Sequence, residues 1–363
     1  MTAPTDPNAL ASRMPKQFLD SDGKAVAQIP AIAGDITALM AGYRALVRAR
    51  IFDEKAIALQ RTGRLGTYAS CLGQEAVGVG IAQMMAEDDV FLPSFREQAA
   101  QLVRGVSMTE LLLLWGGDER GNNFAKARQD FPITIPVASH FPHAVGVALA
   151  MKLRGENRAA VAVAGDGATS KGDFYEALNM AGVWKVPAIF AITNNQWAIS
   201  VRRQDQTAAQ TLAQKAVAAG VPGERVDGND LIAVREVMRN ALDYARACHG
   251  AILIEFETYR LADHTTADDA SRYRDPEEVA PHWKDEPVKR LRSYLVAEGV
   301  WTKEAEHGLI EACRQDAERA AEEYMSRPAE APEAMFDYLY ETLPVPLRNQ
   351  RQQTVRQVGV SDA

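Results

Sequence analysis

Apolar residues recur every three to four positions along three segments in the first third of the chain. The longest segment runs from Ile36 to about Arg61, and Gly63 and Gly66 follow where its pattern stops. Shorter segments with the same spacing occupy residues 73–85 and 107–115. This spacing places the apolar side chains on one face of a helix, so each segment predicts an amphipathic helix.

The middle of the chain alternates short apolar runs with helical patterns. Three runs are continuously hydrophobic, as buried strands of a parallel sheet are; they span residues 159–165, 187–193 and 251–257. A helical pattern at 173–184 separates the first two, and a weaker strand candidate at 224–226 precedes another helical pattern at 231–247. The alternation predicts the α/β class, with a mostly parallel sheet flanked by helices and right-handed crossovers.

Both ends of the chain differ from this middle part. Residues 1 to about 33 are rich in Pro, Ala, Asp and Gly without a period, which indicates an arm that lies on a partner or stays mobile. Helical patterns return beyond Asp285, and the last dozen residues are expected to be poorly ordered or bound to a partner. We therefore expect an N-terminal arm, one α/β domain with helical N- and C-terminal extensions, and a C-terminal tail, at 1–35, 36–345 and 346–363.

Composition narrows the possible partners and compartments. The 363 residues carry 40 Lys plus Arg against 48 Asp plus Glu, a formal net charge of −8, without a basic run that would neutralise a polyphosphate backbone. Cys71, Cys248 and Cys313 lack the spacing of a zinc site or a disulfide framework, which indicates reduced thiols. Because no long apolar stretch and no apolar signal core occur, we expect a cytoplasmic chain with neither a membrane nor a nucleic acid as partner.

Polar loops that follow two of the predicted strands contain candidate metal ligands. Gly-Asp-Gly at 165–167 follows the first strand, and Asn-Asn at 194–195 follows the second. Parallel strands joined by one crossover end at the same edge of a sheet, so Asp166 and Asn195 are expected to converge there. Carboxylate and amide oxygens are hard ligands suited to Mg²⁺, and the glycines and the next helix N-terminus leave room for an anion.

Each motif is unspecific by itself, since Gly-Asp-Gly is also a frequent turn and Asn-Asn a frequent polar loop. A helix N-terminus stabilises a nearby anion by only about 0.3 to 1 kcal/mol. A bound diphosphate group therefore needs a divalent ion as well. It is the pairing of an acid with an amide at one sheet edge that favours a metal-assisted phosphate site.

Basic residues and histidines near strand ends extend this candidate site. Arg96 follows another predicted strand and Arg260 follows the last one, and either guanidinium could bind a phosphate at the same edge. His264 lies in the polar loop after Arg260, where a catalytic or regulated residue would lie. His140 and His143 open a helix of small residues and could line a pocket, although histidines in such positions are more often structural.

These motifs resemble the alpha subunits of the first components of the pyruvate and branched-chain 2-oxo acid dehydrogenase complexes. The resemblance runs from about residue 36 to 345 and includes GQEAVGVG, FLPSFRE, GDGATSKGDFYEALNMAGVWKVPAIF, NNQWAIS, QTLAQKAVAAGVPGERVDGND, TYR and HTTADDASRYR. It implies a thiamin-diphosphate-binding fold in which Mg²⁺ is held by Asp166, Asn195 and the backbone carbonyl of Trp197.

The same resemblance implies further roles around thiamin diphosphate. Arg96 and His264 would face the diphosphate and the reacting centre, with His264 as the catalytic residue, and Ile199 would lie near the thiazolium. Four residues would lie along the cofactor: Phe95, Ser139, Gly167 and Ala168. The implied reaction is the oxidative decarboxylation of a small 2-oxo acid, with transfer of the acyl unit to a lipoyl group.

Two partners follow from the resemblance. One is a beta subunit, which in an α2β2 heterotetramer contributes the glutamate that activates the cofactor, and the other is a lipoyl-bearing acyltransferase core. Pyruvate is the favoured substrate, and a branched-chain acid such as 2-oxoisovalerate is the alternative. A hydrophobic pocket separates substrates that differ by a methylene by only about 1 to 3 kcal/mol, so few residues could change this preference.

Three positions depart from the family pattern, and the sequence disfavours two other classes of protein. Phe95 replaces a frequent Tyr, His140 a frequent Gln, and Thr265 the Ser that kinases phosphorylate in animal relatives. A Rossmann-type oxidoreductase is disfavoured because Gly-Asp-Gly is not the GxGxxG fingerprint. A non-enzymatic scaffold is disfavoured because Asp166, Asn195 and His264 are all present.

Overall fold

The computed structural model describes residues 14–337 and 339–361. The chain divides into two compact units, Met1–Ala321 and Glu322–Ala363. The first unit contains the central sheet and every residue predicted for the site. The domain boundaries given above remain predictions.

Strands of the first unit form one parallel sheet and one small ribbon. Along the described residues the strands are β1 (Val90–Leu92), β2 (Ala160–Gly165), β3 (Ala188–Asn194), β4 (Trp197–Ala198), β5 (Val201–Arg202), β6 (Gly223–Asp227) and β7 (Ile252–Glu257). Five of them form the sheet in the order β1-β2-β3-β7-β6, with every neighbouring pair parallel, whereas β4 and β5 pair antiparallel. The predicted α/β class and its mostly parallel sheet are confirmed.

Helices connect and flank these strands. In chain order the described helices are α1 (Ile36–Arg61), α2 (Glu75–Met84), α3 (Gln98–Arg104), α4 (Met108–Trp115), α5 (His140–Arg154), α6 (Gly172–Trp184), α7 (Arg203–Gln206), α8 (Leu231–Arg246), α9 (Pro276–Val279), α10 (Pro287–Ala297), α11 (Lys303–Ser326) and α12 (Val345–Ser361). The helices predicted from apolar spacing between residues 36 and 247 are confirmed. No described helix combines the length and the apolar character needed to cross a membrane.

An aromatic cluster holds α5 and α6 against the sheet. The ring of Phe141 in α5 lies 5.4 Å from that of Phe174 in α6 and 5.5 Å from that of Phe190 in β3, measured between centroids. All three side chains are fully buried. Burying each of them stabilises the fold by roughly 1.5 to 3 kcal/mol, and the cluster fixes the helices next to the strands that lead into the candidate site.

Glycines in the GQEAVGVG segment let α2 pack closely against two other helices. A Cβ atom added at Gly80 would lie 2.4 Å from Cγ1 of Val234 in α8. One added at Gly78 would lie 2.9 Å from the backbone nitrogen of Ala100 in α3. Only glycine fits at these distances, and the close packing fixes the position of the residues at the start of α2.

The expectation that the N-terminal segment stays mobile is wrong from Lys16 onward, whereas its contact with a partner stays a prediction. The backbone nitrogen of Lys16 donates to Arg225 O at 2.9 Å, and its carbonyl accepts from Asp227 N at 3.0 Å, so the segment adds a parallel bridge beside β6. Phe18 and Leu19 are buried. The first thirteen residues lie outside the described part of the chain.

The buried carboxylate of Asp230 explains this attachment. Its Oδ2 accepts from the backbone nitrogens of Phe18 and Leu19 at 2.7 and 2.8 Å. Its Oδ1 accepts from Ile232 N and Ala233 N at 3.0 and 3.2 Å and so caps the start of α8. One side chain therefore satisfies buried donors of two separate segments, which sequence periodicity does not reveal.

In the second unit α12 extends from Val345 to Ser361, so the expectation of a poorly ordered tail is wrong for these residues. Binding of the tail to a partner stays a prediction, and residues 362–363 lie outside the described part of the chain. The segment NQRQQTVRQ is rich in Arg and Gln, which are good helix formers. Pro346 lies in the first helical turn, where its missing N–H has no intrahelical partner to lose. A segment of low apolar content can therefore form a helix when its residues have high helix propensity.

Replacing Asp230 by Ala should lower the free energy of unfolding by roughly 2 to 4 kcal/mol, because four buried backbone N–H groups lose their acceptor. The matched control is Asp35→Ala, since the exposed carboxylate of Asp35 caps α1 through Ala38 N and its loss should cost about 1 kcal/mol. Urea unfolding followed by far-ultraviolet circular dichroism measures both. Equal losses for the two variants would contradict the joint role of Asp230.

Candidate active site

The carboxyl ends of four strands meet at one edge of the sheet. Gly165 of β2 pairs with Thr193 of β3, and Asn194 of β3 pairs with Glu257 of β7. Asp166 and Asn195 therefore follow neighbouring strands at the same edge, as the sequence predicted. The loop after β1 brings Arg96 to this edge, and the loop after β7 brings Arg260 and His264.

Asp166 provides a buried carboxylate with a free acceptor. Its side chain is 1% exposed, and Oδ2 accepts from Nε2 of Gln206 at 2.8 Å. Oδ1 is buried and has no hydrogen-bond partner among the described residues. Burial raises the pKa of this carboxyl to about 6, although the bond from Gln206 acts in the opposite direction. An unpaired buried oxygen of this kind fits a cation.

Asn195 and Trp197 place two further oxygens in the loop after β3. Oδ1 of Asn195 accepts from Trp197 N at 3.3 Å, and Nδ2 donates to Oε1 of Gln74 at 3.2 Å. The carbonyl of Trp197 accepts from Nη1 of Arg260 at 3.3 Å, which occupies one of its two lone pairs. The predicted ligand set thus contains a carboxylate, an amide and a carbonyl, all of them oxygen donors suited to Mg²⁺.

Among the described residues, this edge has no group of three His, Cys, Asp or Glu side chains that could form a metal site by itself. The present donor set includes only one carboxylate, so further ligands have to come from phosphate oxygens or water. The arrangement fits a metal that is bound together with a phosphorylated molecule.

Hydrogen bonds from Thr169 and Lys215 hold the turn that carries Asp166. Residues Asp166–Ser170 form a 3-10 turn in which Thr169 Oγ1 donates to Asp166 O at 2.8 Å. Nζ of Lys215 donates to Thr169 O at 2.8 Å and to its Oγ1 at 2.9 Å. Gly167 is required because a Cβ atom there would lie 2.7 Å from Cβ of Ala198, and Ala168 is buried beside it.

The environment of His264 fixes its tautomer. Nη2 of Arg96 lies 3.2 Å from Nδ1 of His264 and donates to the His264 carbonyl at 2.9 Å, and Nη1 of Arg260 lies 3.5 Å from the same Nδ1. A guanidinium only donates, so Nδ1 accepts and the ring proton lies on Nε2. Burial and then the charges of Arg96 and Arg260 lower the pKa of His264 to about 4. The ring of Phe95 meets the imidazole edge-on at 5.8 Å.

Arg260 links the segment after β3 to the loop that carries His264. Nη2 donates to Ile199 O and to the Tyr273 hydroxyl, each at 2.8 Å, and the side chain is fully buried. Tyr273 in turn donates to Asp268, whose Oδ2 also accepts from His264 N at 2.9 Å. The two arginines give this edge a strong preference for an anion.

Ser139, a predicted cofactor contact, and His140, which could line a pocket, make hydrogen bonds away from the other predicted residues. The Ser139 hydroxyl donates to Pro136 O at 2.9 Å, and none of its described hydrogen bonds reaches the other predicted residues. His140 is buried, and Nε2 lies 3.0 Å from Val163 O in β2, so Nε2 carries the proton. Burial lowers the pKa of His140 to about 4. The side chain supports β2 and stacks on Phe141.

Sequence reasoning missed three residues that hold the site. Gln74 binds Asn195, Gln206 binds Asp166, and Lys215 binds the turn at Thr169. Gln74 lies in GQEAVGVG and Lys215 in QTLAQKAVAAGVPG, segments that the sequence singled out without assigning these residues a role. A single cation within an apolar segment was the one local signal for Lys215.

Comparison with known proteins gives consistent matches. The model of the family described as dehydrogenase E1 component matches residues 43–333. A pyruvate dehydrogenase E1 component subunit alpha from Mycoplasma pneumoniae is 38% identical over 335 residues, covering 92% of this chain and 94% of the relative. The subunit of the same name is 37% identical in Mycoplasma genitalium, covering 93% and 94%, and 38% identical in Staphylococcus aureus, covering 92% and 90%.

His264 should be neutral near pH 6, with its proton on Nε2, because Nδ1 faces two guanidinium groups. Nitrogen-15 NMR of histidine-labelled protein measures this, and His264→Gln assigns the signal. Arg96→Met should raise the pKa of His264 but leave it below 6.5, since burial is the larger cause. A doubly protonated His264 in the unsubstituted protein near pH 6 would contradict the assigned tautomer.

Proposed function

The chain belongs to the family of dehydrogenase E1 components, and from that premise we propose that it is the alpha subunit of a pyruvate dehydrogenase. One observation carries the proposal: relatives of that name match more than nine-tenths of the chain at 37 to 38% identity. The reaction would be the oxidative decarboxylation of pyruvate with acetyl transfer to a lipoyl group. The fold and the oxygen-rich, doubly cationic sheet edge support it.

The family depends on thiamin diphosphate, and we propose that this chain binds its diphosphate through Mg²⁺. The ligands would be Asp166 Oδ1, Asn195 Oδ1 and the carbonyl of Trp197. The strongest support is the unpaired Oδ1 of Asp166, because a buried carboxylate oxygen without a donor is unfavourable until a cation neutralises it. When bound, thiamin diphosphate supplies the electron sink for the loss of carbon dioxide from a 2-oxo acid.

We propose further that the remaining predicted residues surround the cofactor. Arg96 would bind the diphosphate, Ile199 would lie near the thiazolium, and His264 would act at the reacting centre. The other cofactor contacts would be Phe95, Ser139, Gly167 and Ala168. Gly167 supports this because the turn around it has no room for a larger residue.

His264 has the properties of a neutral hydrogen-bond donor. Its Nδ1 faces guanidinium groups, so Nε2–H is the atom that can donate to an oxygen on which negative charge develops. The low pKa keeps the ring from becoming a cation at neutral pH. Because His264 stays neutral, it can donate to such an oxygen but does not compete with Mg²⁺ for the negative charge of the diphosphate.

The chain forms a single central sheet in its described part, and this supports a cofactor site that is divided between two subunits. We propose that a beta subunit supplies the other half, including the carboxylate that activates the cofactor, and that the assembly is an α2β2 heterotetramer. The acyl acceptor would be a lipoyl-bearing acyltransferase core. Family membership supports a beta subunit and a multienzyme complex.

Asp166→Asn should stabilise the cofactor-free protein by between about 1 and 3 kcal/mol at neutral pH, because the pKa of the buried carboxyl is raised from 3.8 to about 6. Since the folded pKa lies above the unfolded one, the penalty is fully present above pH 6 and is lost as the pH falls through 6 toward 4. The same variant should lose the Mg²⁺-dependent rise in melting temperature that thiamin diphosphate produces. Thermal melts with and without EDTA measure both effects. An unchanged Mg²⁺-dependent rise would remove Asp166 from the metal site.

The isolated chain should lack decarboxylase activity and gain it when combined with its beta subunit, thiamin diphosphate and Mg²⁺. In the reconstituted complex kcat/KM should be higher for pyruvate than for 2-oxobutyrate or 2-oxoisovalerate, by roughly 10- to 200-fold per added methylene. Steady-state rates with each acid measure this. A preference for 2-oxoisovalerate would assign the chain to the branched-chain class, and full turnover by the chain alone would overturn the divided site.

A further inference from the structure

Gln74 accepts a hydrogen bond from the side-chain amide of a proposed metal ligand, Asn195. Its Oε1 accepts from Nδ2 of Asn195 at 3.2 Å, and both side chains are 5% exposed. Gln74 comes from the start of α2, far in sequence from the loop after β3. We propose that Gln74 is a positioning residue that holds the carbonyl oxygen of the Asn195 amide toward the cation.

The orientation of the Asn195 amide follows from its contact with a group that can only donate a hydrogen bond. The backbone nitrogen of Trp197 only donates, and it lies 3.3 Å from the side-chain oxygen of Asn195. Nδ2 of Asn195 must therefore face Gln74, and Gln74 must present its oxygen. Rotating the Asn195 amide by half a turn would bring two donors together at Trp197 and place Nδ2, which repels cations, on the side of Oδ1.

Gln74 is itself held firmly in place. Its backbone nitrogen donates to Cys71 O at 3.1 Å, and its carbonyl accepts from Val77 N at 3.2 Å. The neighbouring Glu75 carboxylate accepts from Gly73 N and from Arg50 at 3.0 and 2.6 Å. The acceptor that meets Asn195 is thus attached to the rigid beginning of a packed helix.

The rest of the Gln74 side chain gains little from being polar. Its Nε2 is buried without a hydrogen-bond partner among the described residues. A buried unpaired donor is unfavourable, so an apolar residue of the same length would be the better choice for stability alone. The oxygen that orients Asn195 is the one described reason for an amide at this position.

This inference rests on the proposed magnesium site and deepens it. Without an acceptor at residue 74, the Asn195 amide keeps only the 3.3 Å bond from Trp197 N, and its nitrogen is left buried without a partner, so its oxygen is held less firmly toward the cation. Outer residues that orient a metal ligand typically change metal affinity by roughly 10- to 100-fold when they are replaced. Gln74→Met should therefore weaken Mg²⁺ binding by that amount.

Three variants in the reconstituted complex with its beta subunit separate orientation from packing. Gln74→Met removes the acceptor at nearly constant volume, and Gln74→Glu keeps an acceptor oxygen. Gln101→Met is the matched control, because Gln101 is equally buried and neither of its amide atoms has a described partner. Gln101 lies in α3, which packs against α2 through Ala100 and Gly78.

The measurement is the Mg²⁺ concentration that half-saturates thiamin diphosphate binding, followed by isothermal titration calorimetry, together with the melting temperature of each cofactor-free complex. We expect this concentration to rise roughly 10- to 100-fold for Gln74→Met and to stay at the wild-type level for Gln101→Met. Gln74→Glu should bind Mg²⁺ at least as tightly as the wild type. Manganese affinity measured by electron paramagnetic resonance gives a second readout that does not depend on turnover.

The outcomes of this experiment distinguish a wrong metal site from a wrong positioning role for Gln74. If the wild-type complex binds thiamin diphosphate without any dependence on Mg²⁺, the metal site itself is wrong. If the wild type depends on Mg²⁺ but Gln74→Met matches Gln101→Met, the metal site stands and the positioning role falls. Weak Mg²⁺ binding by Gln74→Glu would overturn it as well, and this comparison remains decisive if Gln74→Met does not fold.

Discussion

Parallel pairing between β2 and β3 is the constraint on which the rest of the site depends. The register aligns Gly165 with Thr193, and both strands are buried except for Gly165 at the end of β2. Consequently the chain must leave the sheet at the same edge after each strand. A shift of the register would separate Asp166 from Asn195 by the rise of a residue, about 3.3 Å, which is more than a metal site tolerates. The Phe141 cluster that holds α5 and α6 on these strands therefore also maintains the spacing of the two proposed metal ligands.

The charged side chains at this edge suit a ligand that carries both negative and positive charge. Burial lowers the pKa values of Arg96 and Arg260 and raises that of Asp166, so each group is less stable in its charged form than it would be in water. The arginines lie around His264 and bind loop carbonyls, whereas the free oxygen of Asp166 has no described donor. A phosphorylated molecule with a divalent cation would compensate both kinds of charge at once. For the proposed cofactor and Mg²⁺, this compensation would turn an unfavourable arrangement of the protein alone into binding affinity.

The sequence was informative where function depends on strand ends and silent where it depends on packing. Asp166 and Asn195 were predictable because a parallel crossover unit fixes where its loops emerge. Gln74, Gln206 and Lys215 were not, since their contacts join segments whose relative position follows from tertiary structure. The attachment of the N-terminal segment was missed for the same reason, because the carboxylate of Asp230 that binds it lies more than 200 residues away. The helix at 345–361 was missed because polarity was given more weight than helix propensity.

Ile199, at the sheet edge that carries the candidate site, has an unfavourable backbone conformation. Its φ of 54° lies in the left-handed region, which costs a β-branched residue roughly 1 to 2 kcal/mol. Arg260 holds the Ile199 carbonyl, and the apolar side chain remains 54% exposed beside a strongly polar site. Neither the strain nor the exposure stabilises the chain by itself. Both become useful if an apolar ring of a cofactor covers this side chain, so the conformation of Ile199 supports the proposed cofactor site, as the unpaired oxygen of Asp166 does.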